Sequence, residues 1–253
     1  MIILLPPSET KTAPASTDGA SSAVPALDLD ALTRPDLTSA RSTMLRAAMA
    51  TAAASDGGAM LGVPKSAPQL QERMRTITSE PCGPALEVYS GVLFDALGRP
   101  PVRADIEVLI TSALLGVVDA QRDLIPAYRI SAGSTVKRLG KAGTWWKKQL
   151  APLGAQLAES LVIDGRSGAY RSMMPVPGAF MVSPVMERDG KRTVVSHDAK
   201  RYRGLVAKAL LEAEALPASI SEVVDVLRAA FTGRLDVELD GQSLIIVDRF
   251  ERR

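Results

Sequence analysis

The sequence predicts an α/β protein, because short apolar runs of β type alternate along the chain with segments of helical periodicity. The β-type runs are short and apolar, as buried strands are, and they cover residues 2–5, 106–110 and 161–163. The helical segments carry apolar residues at helical spacing, and they cover residues 37–54, 85–97 and 222–231. Asp-Gly pairs at 189–190 and 240–241 predict two β-hairpins in addition.

The composition is that of a globular protein of 253 residues with a formal net charge of only +2. Any affinity for nucleic acid must therefore come from local clustering of charge. A single cysteine, Cys82, excludes an intramolecular disulfide and favours the cytoplasm. With one histidine and one cysteine, a zinc site of His and Cys ligands is disfavoured, and neither a metal nor a cofactor is expected.

The beginning of the chain, MIILLPPSETK, carries neither a basic leader nor a small-residue cleavage site, so no signal peptide or membrane span is predicted. Residues 13–25 consist mainly of Ala, Ser, Thr, Gly and Pro and are predicted to form a mobile loop. The oligomeric state stays open, with a monomer as one option.

The segment Thr193–Leu211 contains the only histidine, His197, at the junction of a predicted strand and a predicted helix. The first turns of that helix carry Lys200, Arg201 and Arg203, although a helix N-terminus is already partially positive. A phosphate or carboxylate bound there would relieve the excess of positive charge. A solvated basic face is the alternative interpretation.

Two loops carry polar residues directly after predicted strands, on the side where α/β sheets collect ligands. The candidate binding residues of these loops are Ser8, Glu9, Lys11, Asp164, Arg166 and Ser167. Arg129, in an irregular segment that follows another strand, is a further candidate. For the loop 8–11 taken alone, an ordinary solvated loop is the simpler explanation.

The segment Val136–Leu150 combines basic residues with a glycine-containing turn at Leu139–Gly143. Such a turn between helices can present backbone N–H groups to a DNA phosphate without reading the base sequence. The candidate DNA-binding residues are Lys137, Arg138, Lys141, Lys147 and Lys148. Trp146 lies on an apolar helical stripe and is predicted to belong to the core.

Several of these segments together resemble the YaaA family of bacterial peroxide-stress proteins, and within it the branch common in high-GC Gram-positive bacteria. They follow one another in the family's order and span nearly the whole chain. The matching segments are MIILLPPSETK at 1–11, YSGVLFDAL at 89–97, TSALLGVVDAQRDLIPAYRISAG at 111–133, VIDGRSGAY at 162–170 and RTVVSHDAKRYRG at 192–204.

The resemblance implies a single mixed α/β domain over residues 1–253 with the family's cantaloupe-type fold. In that fold helices wrap a central sheet, a cleft is positively charged, and a helix-hairpin-helix-like element is present, here at Leu139–Gly143. The resemblance also implies binding of DNA, including duplex DNA, and a protective role in oxidative stress linked to intracellular iron. The implied cleft residues are Lys11, Arg129, His197, Lys200 and Arg203.

The sequence departs from the family's pattern at Asp198-Ala199, where relatives tend to have Phe-Asn. Besides DNA binding, a second function therefore stays open, that of an enzyme acting on a nucleotide, nucleoside or similar anion. In that case the catalytic residues would be His197, Lys11, Glu9 and Asp164, with Lys200 in the site. A non-catalytic interaction protein is a third option. No nucleophile elbow, Walker loop or dinucleotide fingerprint is present.

Overall fold

The structure is a computed structural model that describes residues 1–14, 25–195 and 198–249. The strands in this part of the chain are β1 (Ile2–Leu5), β2 (Cys82–Pro84), β3 (Glu107–Ser112), β4 (Gly116–Asp119), β5 (Leu124–Pro126), β6 (Thr135–Val136), β7 (Gly140–Lys141), β8 (Val162–Asp164), β9 (Phe180–Arg188), β10 (Lys191–Val194), β11 (Asp236–Asp240) and β12 (Ser243–Arg249). The α-helices are α1 (Thr38–Ala52), α2 (Gly57–Leu61), α3 (Gln69–Arg75), α4 (Ala85–Val88), α5 (Val92–Leu97), α6 (Ala142–Gln149), α7 (Ala151–Leu157), α8 (Gly168–Met173), α9 (Ala199–Leu211) and α10 (Ile220–Phe231).

The centre of the fold is a mixed, mostly parallel sheet with the strand order β11-β12-β9-β8-β1-β3-β4, in which β10 also pairs with β9. The four neighbouring pairs from β12 to β3 are parallel. The pairs β3–β4, β9–β10 and β11–β12 are antiparallel. The α/β prediction is confirmed, and because β1 and β8 run parallel, their carboxyl ends meet at one edge of the sheet.

Helices flank this sheet and close the core. All four residues of β1 are buried, as expected for a strand in the middle of a sheet. Trp146 of α6 is fully buried, as predicted, and its indole Nε1 donates a hydrogen bond of 2.8 Å to the Ala113 carbonyl. Within the described residues, none of the helices combines the length and the apolar character that crossing a membrane requires.

Both predicted hairpins are confirmed. The first joins β9 to β10, and Asp189 and Gly190 at its tip have φ angles of 50° and 70°. Two consecutive positive φ angles characterise the tight hairpin turn that an Asp-Gly pair favours. The second hairpin joins β11 to β12, with β11 at the edge of the sheet.

The prediction of one continuous helix over 85–97 is wrong. The structure has two short helices, α4 and α5, separated at Tyr89–Gly91. Tyr89 is extended and forms a β-bridge with Lys11, and the Thr12 N–H donates to the Val88 carbonyl at 2.8 Å. Gly91 has a φ of 93°, which a residue with a side chain rarely adopts. Pairing with the loop after β1 therefore replaces the helical hydrogen bonds at this point.

The segment predicted to contain the helix-hairpin-helix-like element forms a small β-hairpin, β6–β7, followed directly by α6. Arg138 and Gly140 at its turn have φ angles of 67° and 76°. The residues before β6 do not form a helix, so the helix-hairpin-helix element is not confirmed. Of the predicted mobile loop 13–25, residues 15–24 lie outside the described part of the chain.

Gly204 lies inside α9, where this helix crosses α5 at close range. A Cβ at position 204 would lie 2.2 Å from the Leu93 carbonyl oxygen, a backbone atom of α5. We therefore expect Gly204→Ala to lower the free energy of unfolding in urea by about 1–3 kcal/mol. The control is Gly168→Ala, because a Cβ there meets no atom within 4 Å, and its expected change is below about 0.5 kcal/mol. Equal stability of the two variants would contradict this close helix contact.

Candidate functional site

A cleft opens at the edge of the sheet where β1 and β8 end. The Gly165 N–H, directly after β8, donates to the Leu4 carbonyl of β1 at 2.8 Å and ties the two strand ends together. Two cavities of about 320 and 260 Å³ lie side by side there. Both are lined by Pro6, Pro7, Glu9 and Lys200. We refer to the pair of cavities as the cleft.

The two cavities differ in their remaining walls. The larger one is bounded by the loop after β1 and by the break between α4 and α5, with Ser8, Thr10, Ser90, Gly91 and Phe94 among its lining residues. The smaller one is bounded by the loops before β6 and after β8 and by α9, with Ser131, Gly133, Ser167, Tyr170 and Arg203 among its lining residues. Strand ends and helix starts thus supply most of the polar groups.

The loop after β1 is held in place by its own polar groups. The Ser8 hydroxyl donates to the Thr10 carbonyl and accepts a hydrogen bond of 3.1 Å from the Ser90 N–H. Glu9 at its tip is exposed, and its carboxylate lies 3.7 Å from the Arg129 guanidinium. Glu9 is therefore the acidic group of both cavities, placed where a ligand reaches it.

Lys11 places its amine just behind the wall of the larger cavity. Its Nζ donates to the Ser8 carbonyl at 2.7 Å and lies 4.0 Å from the centre of the Tyr128 ring. Burial and, to a smaller extent, the nearby positive charge of Arg129 lower the pKa of this amine from its ordinary 10.5 to about 7, against the opposing effect of Glu9. Near neutral pH a substantial fraction of this lysine is uncharged.

Two buried tyrosines form the floor under Lys11. The Tyr89 and Tyr128 hydroxyls are 2.8 Å apart, and the Tyr128 hydroxyl is also 2.8 Å from the Ser112 hydroxyl. Burial raises the pKa of both phenols, so both stay protonated across the physiological range. The chain of hydroxyl groups fixes the two rings against which the Lys11 amine packs.

Helix α9 brings two cations to the cleft from its first turns. Lys200 is exposed and lines both cavities, whereas Arg203 is half-buried and lines the smaller one. The buried Nε of Arg203 has no hydrogen-bond partner among the described residues. Burial lowers the pKa of Arg203 and the charge of Arg171 on α8 lowers it further, whereas the charge of the buried Asp164 opposes both effects. An anion in the smaller cavity would satisfy this excess of positive charge.

Asp164 and Arg166, two predicted site residues, are not in the cleft, because they bind each other inside the protein. The Arg166 Nε and Nη2 donate to the two Asp164 carboxylate oxygens at 2.9 and 2.7 Å. The Arg166 Nη1 donates to the Met174 carbonyl at 2.8 Å. Both side chains are almost completely buried. Their arrangement holds the loop after β8 rather than presenting a charge to a ligand.

Arg129 reaches the neighbourhood of the cleft, where each of its three guanidinium nitrogens already donates to a backbone carbonyl. Its Nε and Nη2 donate to the Gly62 carbonyl at 2.9 and 2.8 Å, and its Nη1 donates to the Glu9 carbonyl at 3.2 Å. Arg129 therefore positions the loop that carries Glu9. Of the other predicted residues, Ser8, Glu9, Ser167, Lys200 and Arg203 line the cleft, and Lys11 lies behind its wall. His197 lies outside the described residues.

The predicted DNA-binding residues lie on the β6–β7 hairpin and on α6. We call the residues Lys137, Arg138, Lys141, Lys147 and Lys148 the hairpin surface; all five are exposed. In the described part of the chain, none of the five has an acidic partner within ion-pair distance. The Gly143 N–H at the start of α6 donates to the Ala132 carbonyl at 2.9 Å, which joins this surface to the wall of the smaller cavity.

Several cleft residues were not predicted from the sequence. Ser90, Gly91 and Phe94 line the larger cavity because the helix is interrupted there, and a Tyr-Ser-Gly interruption in a helical pattern was the available signal. Ser131 and Gly133 carried no signal beyond their place in an irregular segment. Within residues 1–14, 25–195 and 198–249, no three His, Cys, Asp or Glu side chains are grouped as ligands for a metal ion.

Comparison with known proteins identifies the family. Residues 1–232 match the family described as "Peroxide stress protein YaaA". A UPF0246 protein of Corynebacterium efficiens is 37% identical over 239 residues, which cover 91% of this chain and 93% of the relative. A UPF0246 protein of Streptomyces coelicolor is 32% identical over 240 residues, which cover 90% of this chain and 89% of the relative. The chain therefore belongs to the YaaA family of peroxide stress proteins.

Proposed function

We propose that the cleft binds the phosphate groups of nucleic acid, DNA in particular, and that the protein contributes in this way to the peroxide stress response. The observation that carries the proposal is the pair Lys200 and Arg203, two cations that line the cleft beside the single acidic residue Glu9 and form no ion pair among the described residues. The family's description as a peroxide stress protein supports the second half of the proposal.

The distribution of charge favours a long anion over a compact one. The backbone that carries the hairpin surface is linked to the wall of the smaller cavity by the hydrogen bond between the Gly143 N–H and the Ala132 carbonyl. A DNA strand presents a phosphate at each nucleotide, so one strand can contact both regions at once. These contacts address phosphates only, and we therefore expect little preference for base sequence.

Fluorescence anisotropy with a labelled duplex and a labelled single strand tests this proposal. We expect binding at low ionic strength and an affinity that falls steeply between about 50 and about 200 mM salt, because phosphate contacts release condensed counterions. Scrambling the sequence is expected to leave the affinity within about threefold. Absence of binding to either form at low ionic strength would disprove it.

A second candidate function is catalysis on a nucleotide, nucleoside or similar small anion. The observation that favours it is the Lys11 amine, which is partly uncharged at neutral pH. This amine donates a hydrogen bond to the carbonyl of Ser8, a residue that lines the larger cavity. An uncharged amine accepts a proton or attacks a carbonyl group, whereas Lys200 would hold the anionic part of the substrate. His197 keeps its proposed role in proton transfer.

Thermal shift measurements with a panel of nucleotides, together with mass spectrometry of the purified protein, separate the two functions. A shift with one small nucleotide and none with DNA would favour the enzyme. Binding of DNA without a response to small nucleotides would favour the proposed phosphate-backbone contact.

The shifted pKa of Lys11 predicts a particular pH dependence of stability. Between about pH 7 and about pH 10 the folded protein has lost the Lys11 proton while the unfolded chain retains it, so the unfolded state binds more protons and stability rises with pH. Below pH 7 both states carry the charge, and the full cost of burying it is present. Urea unfolding at about pH 6 and at about pH 10 measures the effect. We expect the free energy of unfolding of the wild type, relative to that of Lys11→Met, to be higher at about pH 10 than at about pH 6. A difference that does not change with pH would contradict the shift.

A further inference from the structure

A groove of about 570 Å³ lies apart from the cleft, between helix α1 and the β6–β7 hairpin. Thr43, Arg46, Ala47 and Ala50 form the α1 side. On the hairpin side the lining residues are Lys137, Arg138 and Leu139. Small side chains thus separate Arg46 from the two basic residues of the hairpin.

The charge of this groove is of one sign. Arg46, Lys137 and Arg138 are exposed, and no acidic residue lines the groove. In the regions that the structure describes, none of the three is within ion-pair distance of a carboxylate. The Arg46 Nη1 donates only to the Ser42 hydroxyl of its own helix, at 3.1 Å. The guanidinium therefore keeps free donors for a phosphate.

The hairpin wall is held in a defined position against α1. The Lys137 N–H donates to the Thr51 hydroxyl of α1 at 2.9 Å. Arg138 has a φ of 67°, a left-handed conformation that costs free energy in a residue other than glycine. The turn thus carries an arginine where the backbone favours a glycine, and the hydrogen bond of Lys137 links the hairpin wall to α1.

We infer that this groove holds one backbone strand of duplex DNA, with Arg46 on α1 facing Lys137 and Arg138 across the phosphates. The inference rests on the proposed function and extends the nucleic-acid surface from the hairpin onto α1, which carries no other assigned contact. Arg46 acts here as a bidentate phosphate ligand, since its planar guanidinium donates two parallel hydrogen bonds. The occupant is a polyanion because the groove is open and charged along both sides.

The test compares Arg46→Glu with the wild type by anisotropy on one labelled duplex over a range of salt concentrations. We expect a loss of affinity of about tenfold at low salt and a salt slope that is smaller by about one. Arg46→Lys is expected to retain more of the affinity than Arg46→Glu, because a point charge is kept. Lys191→Glu is the control, because Lys191 lies in the other half of the sheet from the groove. Helix α1 is held at β4, where Arg41 donates to the Val117 carbonyl, whereas Lys191 is on β10, which pairs with β9. Circular dichroism checks that each variant is folded.

The outcomes separate this inference from the proposed function. A wild type that does not bind the duplex overturns both. Duplex binding by the wild type, with Arg46→Glu no weaker than Lys191→Glu, overturns the groove alone and leaves the cleft proposal standing. An Arg46→Glu variant that loses affinity for inorganic phosphate as strongly as for the duplex identifies a small-anion site and also overturns the inference.

Discussion

Replacing Asp164 by alanine is expected to lower the free energy of unfolding by about 3–5 kcal/mol, because it leaves the Arg166 guanidinium buried without a counter-charge. Both side chains are almost completely buried, and two of the three guanidinium nitrogens of Arg166 donate to Asp164. Water cannot replace the lost carboxylate at such a site, so the folded state bears the full free-energy cost of a buried, unpaired charge. Urea denaturation followed by circular dichroism measures the effect.

The double variant Asp164→Leu with Arg166→Met is the control, because removing both charges avoids the isolated one, and its loss of stability is expected to be much smaller. If Asp164→Ala lowered the free energy of unfolding by less than about 1 kcal/mol and also abolished binding of duplex DNA, a purely structural role of Asp164 would be contradicted. That result would restore Asp164 to the cleft as a residue that contacts the ligand.

Reversing both α9 cations of the cleft, Lys200→Glu with Arg203→Glu, is expected to weaken duplex binding by about 100-fold at low salt. Each charged hydrogen bond to a phosphate contributes roughly 1.5–3 kcal/mol, and a factor of ten corresponds to about 1.4 kcal/mol. The slope of log affinity against log salt is expected to fall by about two. Anisotropy titrations at several salt concentrations give both quantities.

Arg201→Glu provides a matched control for this pair. Arg201 lies between the two in sequence, but it lines a separate cavity with Leu205 and Phe231 rather than the cleft. Both variants change charge in the same helix, so general electrostatics alone would weaken binding in each. An Arg201→Glu protein that loses as much affinity per charge as the double variant would show that the cleft is not the contact site.

The sequence predicted the parts of the fold that depend on local pattern. The strands β1, β3 and β8 follow from short apolar runs, and the hairpin at Asp189 follows from turn chemistry. The interruption between α4 and α5 was not predictable in this way. Tyr89 leaves the helix because its backbone pairs with Lys11, and a residue so distant in sequence does not appear in the local periodicity.

The candidate site was predictable to a similar extent. The rule that ligands collect beyond the carboxyl ends of parallel strands predicted Ser8, Glu9 and Ser167, and these residues do line the cleft. The rule gives the position of a loop but not the direction of each side chain. Asp164, the last residue of β8, points into the protein toward Arg166, and only the assembled structure reveals that partner.

The most direct test of the central claim, that the cleft binds nucleic-acid phosphates, is lysine footprinting of the wild type with and without a saturating duplex. Acetylation followed by mass spectrometry reports the accessibility of each lysine separately. We expect strong protection of Lys200, which lines both cavities, and no protection of Lys191 on β10 or of Lys208 near the end of α9. A duplex that is bound while Lys200 is acetylated as fast as in the free protein would contradict the claim.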